Sequence, residues 1–202
     1  MTMSPDHPYA LADWRLRIST LYAEVRGMAP EAGWRHWHAT RSALFRDHPM
    51  SPLPEGDRKG EIPVQAYDPD LRFSVELRPV DGSAVKVDLG TDGQLAYRPV
   101  AETIGLAQPL GRELTLFWIG GYGGGLFLPF RDATNGDSTY GGGRYLVDAI
   151  KGADLGLDPD GRLILDFNFA YHPSCALNPA YTCPLSPPEN SLDVPIPAGE
   201  RL

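Results

Sequence analysis

Two stretches near the N-terminus carry apolar residues at helical spacing. Between Asp13 and Arg26 the apolar side chains recur every three or four residues, which is typical of the buried face of a helix. A second helix is predicted from Pro30, a residue well suited to a first turn, to Phe45. The short connection "GMAP" predicts that the two helices form a hairpin.

Beyond residue 56 the pattern changes to short segments rich in β-branched and aromatic residues, separated by glycine-containing turns such as "DGS" and "TDG". Six segments have this character: "RFSVELRPV", "SAVKVDLG", "QLAYRPV", "RELTLFWIGG", "GGLFLPF" and "GRLILDFNFAY". Short strands without long helices between them favour an antiparallel barrel or sandwich, and closure into a barrel would remove exposed strand edges. We therefore predict a mainly β fold in which a helical segment (1–55) packs on a β domain (56–202), within one structural domain overall.

The last 32 residues, from Tyr171 onwards, contain seven of the 20 prolines, so regular structure is expected to end there. This segment also contains tyrosines, leucines and both cysteines, which a disordered proline-rich tail normally lacks. We predict an extended C-terminal strap (residues 171–202) that lies on the sheet.

Composition limits the partners that can be expected. The 202 residues are 42% hydrophobic and 22% charged, as in a folded globular protein, and the net charge of −8 argues against nonspecific nucleic-acid or membrane binding. The opening "MTMSPDHPYALADWRLR" lacks the basic start and apolar run of a signal peptide, and no apolar run approaches the roughly 20 residues that span a bilayer. We expect a cytoplasmic protein, and an exposed apolar helix face would allow a homodimer.

Arg144 follows three consecutive glycines, residues 141–143, and is the first candidate for ligand binding. Glycine amides can form an anion-binding concavity, and a guanidinium beside it suits a carboxylate or a phosphate. The alternative is that Arg144 pairs internally with Asp132 or Asp166 and fastens the barrel. A second glycine-rich stretch, "GGYGGG", lacks the context of a phosphate loop and predicts a hairpin turn.

Alternation along "LILDFNFAYHP" places Asp166 and Asn168 on one face, either towards solvent or towards a barrel lumen. In a lumen they would be a candidate base and its orienting partner. His172, Cys175 and Cys183 allow a zinc site or a nucleophilic cysteine, but buried thiols are the more ordinary explanation. We predict neither a metal nor another cofactor.

Three segments, "FRDATNGDSTYGGGRYL", "LDFNFAYHPSCALNPAYTCPLSPPEN" and "VPIPAGE", resemble a widespread bacterial family of unknown function. The resemblance spans roughly residues 38–200, and Phe169 and His172 depart from the family's usual pattern. It carries the family's signature onto a set of polar residues and glycines: Asp132, Thr134, Gly136, Tyr140, Gly141, Gly142, Gly143, Arg144, Asp166, Asn168, Tyr171, Cys175, Cys183, Glu189 and Asn190. The family implies no established reaction.

Two classes of function remain open. In the first, the protein binds a small organic anion in the barrel mouth and transforms it by acid/base chemistry. The residues assigned to catalysis are Asp166, Glu189, Tyr140 and Tyr171. The residues assigned to ligand binding are Arg144, Gly142, Gly143, Asn168, His172 and Asn190. In the second, the same polar residues form a noncatalytic network that locks the strap, in a structural or partner-binding module.

Overall fold

A computed structural model describes residues 7–90 and 93–202. Both predicted helices are present, as α1 (Pro8–Val25) and α2 (Pro30–Asp47). Helix α1 begins earlier than the apolar pattern indicates, because the His7 ring accepts a hydrogen bond from the Tyr9 amide and caps the first turn. The opening six residues and Thr91 and Asp92 of the predicted "TDG" turn lie outside the described residues.

One antiparallel sheet forms the body of the protein. Its strands are β1 (Arg72–Pro79), β2 (Val85–Asp88), β3 (Gln94–Ile104), β4 (Thr115–Ile119), β5 (Gly125–Phe130), β6 (Arg144–Asp148) and β7 (Leu163–Asp166). The strand order is β6-β5-β4-β3-β1-β7, and β2 pairs with the first part of β3. Short helices α3 (Ala107–Leu110) and α4 (Ser174–Leu177) lie outside the sheet.

The two end strands of the sheet approach each other through the chain that follows β7. Tyr171 exchanges two backbone hydrogen bonds with Tyr145 of β6, with N–O distances of 2.9 and 3.1 Å. The result is a mostly antiparallel, nearly closed barrel with an N-terminal helical hairpin, 31% helical and 27% strand, and this confirms the predicted fold class. This bridge covers part of the edge of β6, which would otherwise be exposed.

Apolar side chains cover both faces of the sheet. Phe117 and Phe127 join the helical hairpin in one cluster, together with Tyr22 and Trp37. Their neighbours along β4 and β5 face the opposite way and join a second cluster, which includes strap residues such as Ile196. The hairpin and the last part of the strap (residues 192–198) therefore cover opposite faces of the same strands, as the period of two requires.

Two strands differ from the prediction. Strand β6 is buried along its whole length, and its five residues between the glycine triplet and a short helical turn were not predicted as a strand. Strand β7 ends at Asp166, whereas the alternating pattern continued to Tyr171. The Asp166 carboxylate accepts a hydrogen bond from the Asn168 amide at 3.0 Å and starts a 3₁₀ turn there, so the strand does not continue.

Candidate functional site

Arg144, at the start of β6, is fully buried, and its guanidinium is bonded within the chain. One terminal nitrogen donates to the Asp132 carboxylate at 2.8 Å and to the Ile196 carbonyl at 2.9 Å. The other donates to the carbonyls of Ala198 and Glu200. Burial lowers the pKa of Arg144, and the Asp132 carboxylate opposes that change. The side chain thus holds the end of the strap against the sheet.

Asp132 organises the turn that precedes the glycine triplet. One oxygen accepts the Thr134 amide and hydroxyl, at 2.9 and 2.6 Å, and the Ile196 amide at 3.1 Å. The other oxygen accepts from Arg144. A buried carboxylate with four donors is fully satisfied, so it is an anchoring point for strap and turn together.

The glycine triplet lies directly under the strap. Gly143 has a φ of +95°, and a Cβ at that position would collide with the Ser186 side chain and the Phe130 carbonyl. A Cβ on Gly142 would meet the Tyr140 ring and Leu185. The Ser186 amide donates to the Gly142 carbonyl at 3.1 Å. The close approach explains why side chains are absent here.

Asp166 and Asn168 are both buried and bond to each other and to β1 and the segment before it. The Asp166 carboxylate accepts from Arg72 at 3.0 Å and from the Asn168 side-chain amide at 2.7 Å. Burial raises the pKa of Asp166, and the hydrogen bonds from Asn168 and Arg72 oppose that rise. Asn168 also bonds both backbone groups of Asp68, at 2.8 and 2.7 Å.

Asn190 and Glu189 are neighbours with different environments. The buried Asn190 side chain accepts from the Thr115 amide and donates to the carbonyls of Thr115 and Pro129, each at 2.8 Å. The Asn190 side chain therefore bridges Thr115 of β4 and Pro129 of β5 with hydrogen bonds like those that a neighbouring strand makes. Glu189 is exposed, and its carbonyl accepts from Arg112 at 3.2 Å.

His172 and Tyr140 join the loop before β6 to the strap. The His172 ring accepts the Tyr140 amide at 3.2 Å, and the His172 amide donates to Glu200 at 2.8 Å. Burial lowers the pKa of His172, so the ring is a neutral acceptor. The Tyr140 hydroxyl contacts the Cys175 thiol at 3.9 Å. Cys175 and Cys183 are both free thiols, and burial raises the pKa of Cys183 to about 11.

Tyr171 is buried where the end strands meet. Its hydroxyl lies 3.5 Å from the Asp148 carboxylate, which also pairs with the Lys151 ammonium at 2.8 Å. Burial raises the pKa of Tyr171 well above its usual value. Tyr171 therefore remains protonated and donates to Asp148, which ends β6.

A cavity of about 410 Å³ opens beside this carboxylate at one end of the sheet. Four strand residues define the position of the cavity: Leu95, Ile119, Phe127 and Asp148. They lie near the start of β3, at the end of β4, near the start of β5 and at the end of β6. Since these strands are antiparallel neighbours, the four positions fall at the same end of the sheet. Helix α1 and the strap supply the remaining walls.

The lining of this cavity is mostly apolar and includes Trp14, Leu95, Phe127, Tyr145 and Tyr181. Its size is within the range of pockets that bind small molecules. None of the ten residues assigned to catalysis or ligand binding from the sequence lines it. The polar residues of the motifs form separate hydrogen-bonded groups around Arg144, Asn168 and Asn190, away from this cavity.

Three charged residues line the cavity, and sequence reasoning singled out none of them: Arg15, Asp148 and Lys151. Arg15 is exposed on α1, and among the described residues it has neither an ion pair nor a hydrogen bond. The only sequence feature that could have pointed to Arg15 was its position next to Trp14 on the predicted helix. This position did not show what Arg15 would face, because the cavity forms only when segments distant in sequence meet.

A smaller cavity of about 210 Å³ has His172 and Glu200 in its wall. Its lining mixes cations and anions, including Lys59, Asp57 and Arg201. Within residues 7–90 and 93–202, no cluster of three or more His, Cys, Asp or Glu side chains has a metal-binding arrangement. In the same part of the chain, no helix combines the length and apolar character needed to cross a bilayer.

The fold and the cavity define a strap-fastened, nearly closed antiparallel barrel with a pocket at one end. The chain belongs to the family described as "Protein of unknown function (DUF1684)", whose model matches residues 60–201. This confirms membership of an uncharacterised family. The chain is also similar to an uncharacterised protein of Haloarcula marismortui solved by solution NMR, with 29% identity over 85% of this chain and 94% of that chain and a TM-score of 0.58. The search of curated proteins returned no match.

Proposed function

We propose that the protein binds a small organic anion in the cavity at the end of the barrel. The observation that carries the proposal is a largely apolar cavity of about 410 Å³ whose charged lining contains two cations, Arg15 and Lys151, and one carboxylate, Asp148. An apolar pocket with a few charged groups is the usual form of a small-molecule site.

The charge of Arg15 is available for a ligand. Lys151 already pairs with Asp148, whereas Arg15 bonds to none of the described residues. Its neighbour Arg17 on the same helix pairs with Asp13 at 2.9 Å. A guanidinium at the wall of an apolar cavity attracts a carboxylate and can donate hydrogen bonds to both of its oxygens.

The polar motif residues support a second role, as the lock of the strap. Arg144, Asn168 and Asn190 direct their side chains at backbone groups or acids of this chain rather than into the cavity. In this role they fasten segments of the chain to the barrel, and none of them lines the cavity. A purely structural or partner-binding module would have the same lock but an empty cavity at all ligand concentrations.

A cavity-filling variant tests the proposal. Leu95→Trp places an indole into the cavity, and Gln94→Trp places the same group on the exposed neighbouring position of β3. Thermal unfolding with a panel of small carboxylates should show stabilisation of the wild type and of Gln94→Trp, since a ligand that binds only the folded state raises Tm. Leu95→Trp should lose that response. Equal responses in both variants would place the ligand outside the cavity.

A further inference from the structure

We infer that the ligand is a monoanionic amphipathic carboxylate with an aliphatic chain, bound with its carboxylate at Arg15 and its chain on the floor of the cavity. This inference rests on the proposed function and names the class of anion. Three observations on the cavity support it: its net charge, its exposed apolar rim and its volume.

The charge of the lining matches a single negative group. Arg15 and Lys151 are positive and Asp148 is negative, so the lining carries one net positive charge. Asp148 is only 3% exposed and ends the strand that forms the cavity wall. A ligand with one carboxylate leaves the lining neutral, whereas a phosphate ester with two charges would leave a net negative charge there.

The rim of the cavity holds apolar side chains that are still in contact with water. Leu11, Ile150 and Tyr181 all line the cavity, and each is 37% exposed. Covering such surface is favourable by roughly 25 cal/mol per Å². A compact hydrophilic anion would leave these side chains wet, whereas an aliphatic chain would cover them.

The floor and the volume favour a flexible chain. Aliphatic residues such as Leu95, Ile119 and Met50 form much of the lining, and methionine adapts to irregular apolar shapes. At the roughly 30 Å³ that a water occupies in the liquid, the cavity would hold about 14 water-sized groups. A carboxylate of medium chain length has this size.

Calorimetric titration of the full chain with four probes tests the inference: decanoate, 1-decanol, decyl phosphate and succinate. Decanoate should bind most tightly, and hexanoate, titrated as a shorter homologue beside the four probes, should bind more weakly by up to about fourfold for each methylene removed. Replacing the carboxylate by the alcohol should weaken binding about tenfold, which corresponds to about 1.4 kcal/mol.

Two arginine variants on the same helix locate the carboxylate. Arg15→Met should weaken decanoate binding about tenfold and leave 1-decanol binding unchanged, since only the anion uses the guanidinium. Arg17→Met is the matched control, because Arg17 pairs with Asp13 and does not line the cavity. It should bind both probes like the wild type.

The outcomes separate this inference from the proposed function. Tighter binding of succinate or decyl phosphate than of decanoate would overturn the inference and leave an anion site in place. Equal binding of decanoate and 1-decanol, with no effect of Arg15→Met, would overturn the anionic character itself. Failure of all four probes, or binding that survives Leu95→Trp, would overturn the cavity as the ligand site.

Discussion

Arg144 carries a positive charge into a place from which water is excluded, and its stability there depends on Asp132 and the strap carbonyls. Replacing it by methionine keeps the approximate volume but leaves Asp132 buried without a counter-charge. Removing one partner of a buried pair costs about 3–5 kcal/mol, so Arg144→Met should lower the free energy of unfolding by that amount in urea titrations.

The exposed Arg98 on β3 is the control for this substitution. Arg98→Met should change the free energy of unfolding by at most about 0.5 kcal/mol, because Arg98 has no ion pair or hydrogen bond among the described residues. If Arg144→Met were as stable as the wild type and lost decanoate binding, Arg144 would be the ligand's anchor instead of the lock of the strap.

Glu113 makes a pH-dependent contribution to the stability of the folded protein. Burial disfavours its charged form, but hydrogen bonds from the Thr103 hydroxyl and the amides of residues 105–107 outweigh burial and lower its pKa. A carboxyl with a lowered pKa in the folded state stabilises the protein above its unfolded pKa of about 4.3, and that contribution is lost as the pH falls through the lower folded value.

Glu113→Gln should therefore cost about 1–3 kcal/mol at pH 7, since an amide cannot accept all of these hydrogen bonds with a full charge. The difference from the wild type should shrink as the pH falls below about 4.3, where the wild-type carboxyl begins to lose its advantage. Urea unfolding at several pH values measures it, with the exposed Glu61→Gln as control. A difference that is constant with pH would show that ionisation of Glu113 contributes nothing.

At this scale the sequence singled out polar residues that are buried in the structure, such as Arg144 and Asn168, but not most of their partners. The sequence left two roles open for Arg144, binding an anionic ligand or pairing with an internal acid such as Asp132. The spacing of Arg144 and Asp132 is compatible with both roles. The deciding carbonyls belong to residues 196–200, more than fifty positions away, and no local pattern brings them to β6. For Arg15 the sequence held no polar motif at all.

At the scale of elements, the strap depends on the glycines beneath it. Gly143→Ala introduces a Cβ at a φ of +95° and pushes it into Ser186 and the Phe130 carbonyl. Left-handed strain and overpacking each cost about 1–3 kcal/mol, so we expect a loss of about 2–6 kcal/mol. Gly141→Ala is the control within the same triplet: its nearest neighbour beyond the adjacent residues is 4.0 Å away, and its φ is not left-handed.

Chemical denaturation of the two alanine variants decides the point. Gly141→Ala should be neutral or up to about 1 kcal/mol more stable than the wild type, because alanine reduces the freedom of the unfolded chain. Equal stability of the two variants would mean that the strap can move away from Gly143 without cost.

The elements themselves were predicted to different degrees. Both helices and most strands could be predicted from the periodic spacing of their apolar residues, because each of these elements has one buried face. Strand β6 is buried on both faces, so it shows no alternation and resembles any short apolar run. The end of β7 depends on the side chain of Asp166 capping its own turn, and alternation alone does not record such a bond.

At the scale of the whole molecule, Glu200 connects three parts of the chain. Its carboxylate pairs with Arg41 of α2 at 2.5 Å and accepts the His172 amide at 2.8 Å. Its amide donates to the Ala170 carbonyl at 2.8 Å. The Arg41 guanidinium lies over the Tyr171 ring, 4.7 Å from its centre, so helix, barrel closure and strap meet at one buried ion pair.

The cavity is likewise a property of the whole molecule. Helix α1 supplies Trp14, the sheet supplies Phe127 and the strap supplies Tyr181, and the three segments are distant in sequence. Any change that separates the hairpin or the strap from the sheet should open the cavity. The sequence could predict a barrel mouth as the place for a ligand, but its lining depends on this assembly.

This assembly predicts that the helical hairpin and the barrel unfold together. Three of the four tryptophans, Trp14, Trp34 and Trp37, lie in the helices, so their fluorescence reports the hairpin, while circular dichroism also reports the sheet. The two urea transitions should coincide in the wild type.

Glu200→Gln should shift both transitions together by about 3–5 kcal/mol, because Arg41 remains buried without its partner. The exposed pair of Glu31 and Arg35 gives the control, and Glu31→Gln should cost at most about 1 kcal/mol. A fluorescence transition that precedes the dichroism transition would show that the hairpin is a separate unit, held to the barrel more weakly than its buried ion pair implies.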